Sequence, residues 1–437
     1  MNLKHSNIQL FGYSILLLLF FALPLKAQVT IGAQKAPHSY SVLELMSAKG
    51  LRLPVLNNSE RDALKLTPDS TEAGGLVIYN TDIDCIEFWS DGKWIDLGSN
   101  SSFLSPISGN NGVTKGATGL TYSVTPVSGV TTYTWTVPTG WSITAGLGTA
   151  SITVTAGTTE GHAGTITVSA NNGNCTGTST LAVSVGCPVK TTSGNWLTFM
   201  CYNLGADDAV KSLTPEEQAA YPTPADEYGD LYQWGRSKDG HQLRTSESYP
   251  TNNTTDESGV VSGSDLDGNG QVASTSAAYG KFIKNNDVTT YYDWRTPLSN
   301  TLWYDNGKKT VNDPCPTGWR VPTTVEFQSI VNGSVDAVDF SGSYNSVSGN
   351  RWQWVSSNPG FLVTPSGSAS PTLFLPLTGW RSYGNSTLQY QGSNGYYWSS
   401  SVTNADTAYS MNFYSSRLYP ASTYLRALGF SIRCVVE

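Results

Sequence analysis

Cys315-Pro316-Thr317-Gly318-Trp319-Arg320-Val321-Pro322-Thr323-Thr324-Val325-Glu326-Phe327 is the stretch on which the fold turns. Pro316 fixes φ and Gly318 tolerates unusual backbone angles, so its first residues predict a tight turn. Trp319 follows as a large apolar anchor. Val321-Pro322-Thr323 predicts a strand end and a helix start, with Thr323 as N-cap and Glu326 three positions on. In such a capping box each side chain satisfies an orphan backbone donor. The counterpart closes the chain. In Gly429-Phe430-Ser431-Ile432-Arg433-Cys434, Phe430, Ile432 and the cysteine alternate with Ser431 and Arg433, the pattern of a half-buried strand.

These two segments, with Tyr396-Tyr397-Trp398-Ser399-Ser400-Ser401 and Tyr232-Gln233-Trp234-Gly235-Arg236, resemble hallmarks of the Fibrobacter succinogenes major paralogous domain. That module is common in secreted proteins of Bacteroidota and Fibrobacteres. The resemblance covers residues 187–437 and implies an α+β, C-type-lectin-like fold. Such a fold packs a short helix or two on irregular, mostly antiparallel sheet, with its termini close together. No common biochemical activity comes with it. It does imply a Cys315–Cys434 disulfide, because both hallmarks carry a cysteine and the termini meet. Cys187 with Cys201 is the next pairing expected, a short bridge at the mouth of the domain. Cys85 and Cys175 sit in different modules, which leaves their pairing open, free thiols included.

All six cysteines lie beyond residue 27, as in a protein of an oxidising compartment. Residues 1–27 read as a cleaved secretory signal peptide: Lys4 and His5 in a polar start, an apolar run over 15–23, then Leu25-Lys26-Ala27 before Gln28. That run is short for a membrane span and no second one follows, so the mature chain is expected to have none. The expected location is secreted or on the outer cell surface. Without Lys4 and Lys26 the chain keeps 23 basic against 33 acidic residues, which argues against nucleic acid as a partner. Charged residues make up only 13% of the chain, against abundant Gly, Ser, Thr, Asn and aromatics, the profile of an extracellular β-rich protein.

The composition divides the chain into modules. Residues 28–100 predict a small β-rich stalk of short strands, with Asp91-Gly92 between Trp89 and Trp94 as a hairpin turn. This module is similar to segments of secreted Bacteroidota proteins and phage tail fibres, which implies a stalk or a homotrimer; the plain alternative is a monomeric spacer. Residues 101–186 are rich in Ser, Thr, Gly and Val and predict a β-sandwich with Trp135 in its core. They resemble PKD-like or Ig-like spacers, without the usual inter-sheet cysteine pair. In the last domain Thr214, Pro215 and Glu217 predict a second capped helix. Residues 237–310 show little periodicity, and a loop region that long is usually functional or poorly ordered. The expected fold class is therefore mainly β and multi-domain: stalk, Ig/PKD-like sandwich, and C-terminal C-type-lectin-like domain.

Two sets of residues carry chemistry. Asp265, Asp267 and Asn269 stand at alternate positions with Gly270 at the sixth, like the first half of a calcium loop. Ser276 stands where the bidentate Glu belongs, so Ca2+ would need an outside carboxylate such as Asp230, Asp239 or Asp293. The competing reading is a plain turn. Sugar-binding triplets of the calcium-dependent lectins are absent. Tyr249, Tyr383, Tyr390 and Tyr396 lie in turn-rich loops and are expected to be exposed and ligand-binding; the plain alternative is that they cover the core. Arg320, Arg381, Arg426 and Arg433 recur beside aromatics and are expected in structural hydrogen bonds or cation–π contacts.

Few histidines, no phosphate loop and no paired carboxylate motif speak against an enzyme such as a polysaccharide hydrolase. Formylglycine-generating enzymes share a C-type-lectin-like core but rely on active-site cysteines, whereas Cys315 and Cys434 are expected in a structural bridge. The expected function is non-enzymatic binding or adhesion, with an extracellular glycan or protein held by the loops. The alternative is a structural subunit of a surface appendage or matrix.

Overall fold

The computed structural model describes residues 29–31, 43–45, 51–67, 75–82, 85–96, 104–127, 129–171, 176–251, 258–287, 289, 292–340, 344–347, 349–403 and 407–437. The expected leader, Cys175 and the module boundary at residues 99–101 lie outside them. The chain is mainly β and multi-domain. It divides into two compact units, Met1–Ile95 and Asp96–Glu437.

In the first unit Val55–Leu56 runs parallel to Val77–Asn80, which pairs antiparallel with Cys85–Ser90, followed by Lys93–Asp96. Asp91 and Gly92 both take positive φ, 51° and 74°, as a tight two-residue hairpin demands. The turn brings Trp89 edge-on to Trp94 at 5.5 Å. The helix Asn58–Asp62 is capped by Asn57 and Glu60. Its Arg61 reaches the buried Glu87 at 2.8 Å, and Asn80 Nδ2 donates to the same carboxylate at 2.7 Å. Cys85 is disulfide-bonded, so it is not the free thiol that its position left open.

The second unit begins as a two-sheet sandwich. Ser142–Ala145, Ser151–Thr155 and Leu120–Ser123 form one sheet; Gly112–Val113, Thr176–Val185, Gly161–Asn171 and Tyr133–Thr136 form the other. Alternate residues such as Tyr122, Ile152, Val154, Ile166, Val168 and Trp135 meet between them. The Trp135 indole donates to Thr149 O at 2.8 Å. Only Gly186 separates the last sandwich strand from Cys187–Lys190, the first strand of the next domain. A Cβ added there would fall 2.6 Å from Phe199 O. Across this junction the Ser184 and Thr198 hydroxyls lie 2.7 Å apart.

The last domain ties its two ends together. Its opening hairpin, Cys187–Lys190 and Trp196–Phe199, shares one sheet with Val435–Val436 and Trp319–Arg320. Cys315 is bonded to Cys434, 119 positions on, and Cys187 to Cys201. Closing a loop of the first size stabilises a fold by about 3–5 kcal/mol. The Trp319 amide donates to Pro316 O at 3.0 Å, closing the turn at Gly318. Thr323 and Glu326 complete the capping box of the helix Thr324–Val331, which buries Phe327, Ile330 and Val331. Thr214 and Glu217 cap the helix Pro215–Ala219 in the same way.

The closing segment departs from its expected alternation. Ser431 and Arg433 are as buried as Phe430 and Ile432, because the segment is covered on both sides and pairs only in short pieces. Arg433 donates to Asn203 Oδ1 at 2.8 Å, to Met200 O at 3.2 Å and to Phe374 O at 2.9 Å. The other arginines take their expected places. Arg320 pairs with Glu326, while Arg381 and Arg426 lie 4.4 Å and 4.7 Å from the ring centres of Phe282 and Trp234.

A buried acid–amide pair lies nearby. Asn358 Nδ2 donates to Glu227 Oε2 at 2.6 Å, leaving Glu227 Oε1 and Asn358 Oδ1 as acceptors without a partner among the described residues. A proton on the carboxyl supplies the missing donor. Burial pushes this acid up to about 8, against the pull of Asn358 and Arg433. The unfolded chain releases the proton near 4.5, so between those values the folded state holds the extra proton and stability falls as pH rises. Denaturant unfolding should show the stability of the wild type, relative to Glu227→Gln, declining from about pH 4.5 to 8. Parallel curves across that range would contradict a protonated Glu227.

Candidate functional site

The strands Trp380–Arg381 and Leu388–Gln389 form a short hairpin that continues into the loop at 390–394. Backbone bonds hold that loop: Gly379 N to Asn394 O and Gly392 N to Leu377 O, both 2.8 Å, and Ser393 N and Asn394 N to Tyr390 O at 3.1 and 3.0 Å. Gly379 has φ 65°, and a Cβ there would fall 2.3 Å from Gln389 O, so only glycine fits. The hairpin meets the strands Gly395–Val402, Thr407–Tyr414, Arg417–Leu425 and Gly429–Phe430 around a cleft of about 590 Å³. Trp380, Tyr383, Tyr390, Tyr396, Tyr424 and Phe430 give it aromatic walls. Asn394, Thr407 and Thr423 add polar groups; Leu425 and Leu428 complete the lining.

The rings interlock. Trp380 and Tyr390 lie nearly parallel, 11° apart in plane and 6.3 Å between centres. Tyr396 stands edge-on to Trp380 at 6.5 Å and to Tyr424 at 5.6 Å, and leans on Phe430 at 4.9 Å. Phe430 stacks on Trp398 at 4.3 Å, which joins the cleft to the core. Burial pushes the Tyr396 and Tyr424 phenols up, and each also feels the other. Tyr383 meets Tyr292 edge-on at 5.4 Å.

Tyr390 is the unusual member. The residue is 57% exposed and its φ is 56°, in the left-handed region that bulky side chains avoid. Holding a residue there costs about 1–3 kcal/mol. A ring so exposed returns little of that through burial. Asparagine would suit this backbone better.

Of the four expected tyrosines, the fold brings Tyr383, Tyr390 and Tyr396 into one cleft. Tyr396 is not exposed as expected: it is 9% accessible, because Trp380, Tyr424 and Phe430 surround its ring. Tyr249 does not line the cleft. It is half-buried in Ser248–Tyr249, paired in parallel with Phe282–Ile283. Trp380, Tyr424 and Phe430 also line the cleft, although the sequence pattern marks Phe430 only as a strand residue and does not single out the other two. Their only signal was the density of aromatics after residue 380.

The expected calcium loop folds as a turn. Asp267 Oδ1 accepts from Asn269 N and Gln271 N, both at 2.9 Å, while Leu266 bridges Val272. Arg295 donates to Gly270 O at 2.7 Å, and its charge interacts with Asp267, so a cation of the protein's own already serves the loop. The outside carboxylates are committed elsewhere. Asp239 lies 2.5 Å from both Arg236 Nη2 and His241 Nδ1, and Asp293 lies 3.6 Å from Arg426. Asp230 accepts from the Tyr232 hydroxyl at 3.4 Å. Burial drives the His241 imidazole down to about 4 and the Asp293 carboxyl up to about 7. No group of three or more His, Cys, Asp or Glu among the described residues is arranged to hold a metal ion.

With this geometry in view, residues 205–436, more than half of the chain, match the Fibrobacter succinogenes major domain. The chain belongs to that family. The whole cleft lies inside the Fibrobacter succinogenes major domain, and so do both partners of the Cys315–Cys434 bond. Ahead of it, residues 101–185 match a PKD-like domain and residues 30–115 a phage tail like trimerisation region. No curated protein and no solved structure matches the chain.

If Tyr390 is present for something other than folding, Tyr390→Asn should melt no lower than the wild type in thermal unfolding. A fall in stability of more than about 1 kcal/mol would mean that the ring holds the loop in place.

Proposed function

We propose that this chain is an extracellular, non-enzymatic binding protein that holds a glycan or protein partner in the aromatic cleft of its Fibrobacter succinogenes major domain. Tyr390 carries the reading: a large, mostly exposed aromatic held in a costly backbone conformation at the rim of a concave aromatic site. Such rings offer contact area with little rotamer entropy to lose. The cleft is lined by aromatic, aliphatic, amide and hydroxyl groups, a composition suited to recognition. The disulfides and the PKD-like match are consistent with an extracellular location. No helix among the described residues is long and apolar enough to cross a membrane. The reading takes the last domain as C-type-lectin-like. The pairing of Phe199 with Val435, which brings the two ends of the domain into one sheet, supports that view.

Fluorescent beads coated with the chain lacking residues 1–27 should adhere to spots on a combined array of glycans and extracellular proteins. Beads coated with Tyr390→Asn should lose that adhesion while the variant keeps its melting temperature. Undiminished adhesion of the variant would refute the cleft as the binding site.

The match of residues 30–115 to a trimerisation region favours a second, compatible reading. In it the chain is a homotrimer through its N-terminal module, as a subunit of a surface appendage or matrix would be. Three clefts on one assembly would raise avidity without any new contact. Light scattering should then give a mass of three chains in solution; a monomer mass at all concentrations would remove this reading.

A further inference from the structure

We infer that the ligand of the aromatic cleft is an uncharged saccharide, an inference that rests on the cleft being a binding site. No Asp, Glu, Lys, Arg or His lines it. Arg381 follows Trp380 directly, but its guanidinium is bound to Ser246 Oγ and O at 2.5 and 2.6 Å and to Leu243 O at 3.2 Å. Arg426 follows Leu425 and is bound to Ser299 O and Asn300 Oδ1 at 3.0 and 2.6 Å. A carboxylate or sulfate entering the cleft would shed water with no cation to meet it, which is strongly unfavourable.

Aromatic faces also attract cations, best as a box of faces around one point. Here Tyr390 stacks nearly parallel on Trp380, and the edge-on rings of Tyr396 and Tyr424 pack on each other and on Phe430, so the exposed Tyr390 offers one flat plate instead. What lies well on a plate is a flat apolar face. The polar groups ask for something more. The amide of Asn394 and the hydroxyls of Tyr383 and Thr423 line the cleft and make no hydrogen bond to another described residue. A wholly apolar ligand would strip water from them and leave them unpaired. A pyranose ring meets both demands, with a C–H face for the plate and an edge of hydroxyls for the amide and alcohols.

The test is calorimetric titration of the chain lacking residues 1–27 with defined probes. These are neutral hexasaccharides of glucose, mannose, galactose and N-acetylglucosamine, then hexagalacturonate, a sulfated disaccharide, and choline. At least one neutral hexasaccharide should bind, with the charged probes about tenfold weaker or worse. Tyr390→Ala should weaken that neutral binding by about tenfold or more at unchanged melting temperature. A charged probe binding as tightly, and lost in Tyr390→Ala, would overturn the uncharged class and leave the cleft standing. No saccharide binding, with Tyr390-dependent adhesion to protein spots on the array, would overturn the saccharide and again keep the cleft. Neutral binding indifferent to Tyr390→Ala would overturn both.

Discussion

The last domain depends on a buried positive charge. Arg433 is 1% accessible, and an unpaired guanidinium at such depth would be prohibitive. Its burial is tolerated because three residues from two segments supply oxygens: Asn203 and Met200 from just after the opening hairpin, and Phe374 from the strand Leu373–Pro376. Removing any one would leave donors orphaned in the core. Beside it, Cys434 is covalently held to Cys315. The chain end is thus anchored to the hallmark turn and the domain's first hairpin at once, which is why the two ends of the domain share a sheet.

A second constraint concerns the tryptophans. The segment Tyr232-Gln233-Trp234-Gly235-Arg236 offers its carbonyls to indoles arriving from far along the chain. Trp398 donates to Tyr232 O at 2.8 Å, Trp294 to Trp234 O at 2.7 Å and Trp303 to Arg236 O at 3.1 Å. Trp234 itself donates to Ser399 O at 2.9 Å. Each indole buries a large apolar body only because its single polar atom finds a partner. Trp398 then carries Phe430, and Phe430 carries Tyr396 at the base of the cleft. The cleft therefore rests on the core, and a rigid base with one strained, exposed ring at its rim is an arrangement suited to holding a ligand.

The sandwich and the last domain are joined closely. Gly186 alone lies between their strands, and a Cβ at Gly161 would fall 3.4 Å from the Trp319 indole nitrogen. Trp319 thus serves the hallmark turn on one side and the sandwich on the other. A composition change at residues 186–188 marks where the residue types shift; close packing across it is a separate matter, set by side chains from both sides.

By itself the amino-acid sequence determined whatever is decided within a few residues. Thr323 with Glu326, Thr214 with Glu217, Pro316 with Gly318, and Asp91 with Gly92 stand as read, because each satisfies backbone groups three or four positions away or less. Trp135 in the sandwich core follows as readily from alternation across one buried face. Tertiary structure decided what depends on distant partners. The alternation in residues 429–434 presumed water on one face, yet both faces are covered and Arg433 finds acceptors up to 233 positions away. Asp265, Asp267 and Asn269 have the spacing of a cation loop, but Arg295 brings a charge that no local pattern announces. Tyr383, Tyr390 and Tyr396 were readable as a group, whereas Trp380, Thr407, Tyr424 and Phe430 join them only once several strands converge. Whether a ring is core or contact depends on what covers it, and what covers Tyr396 but leaves Tyr390 bare comes from elsewhere in the chain.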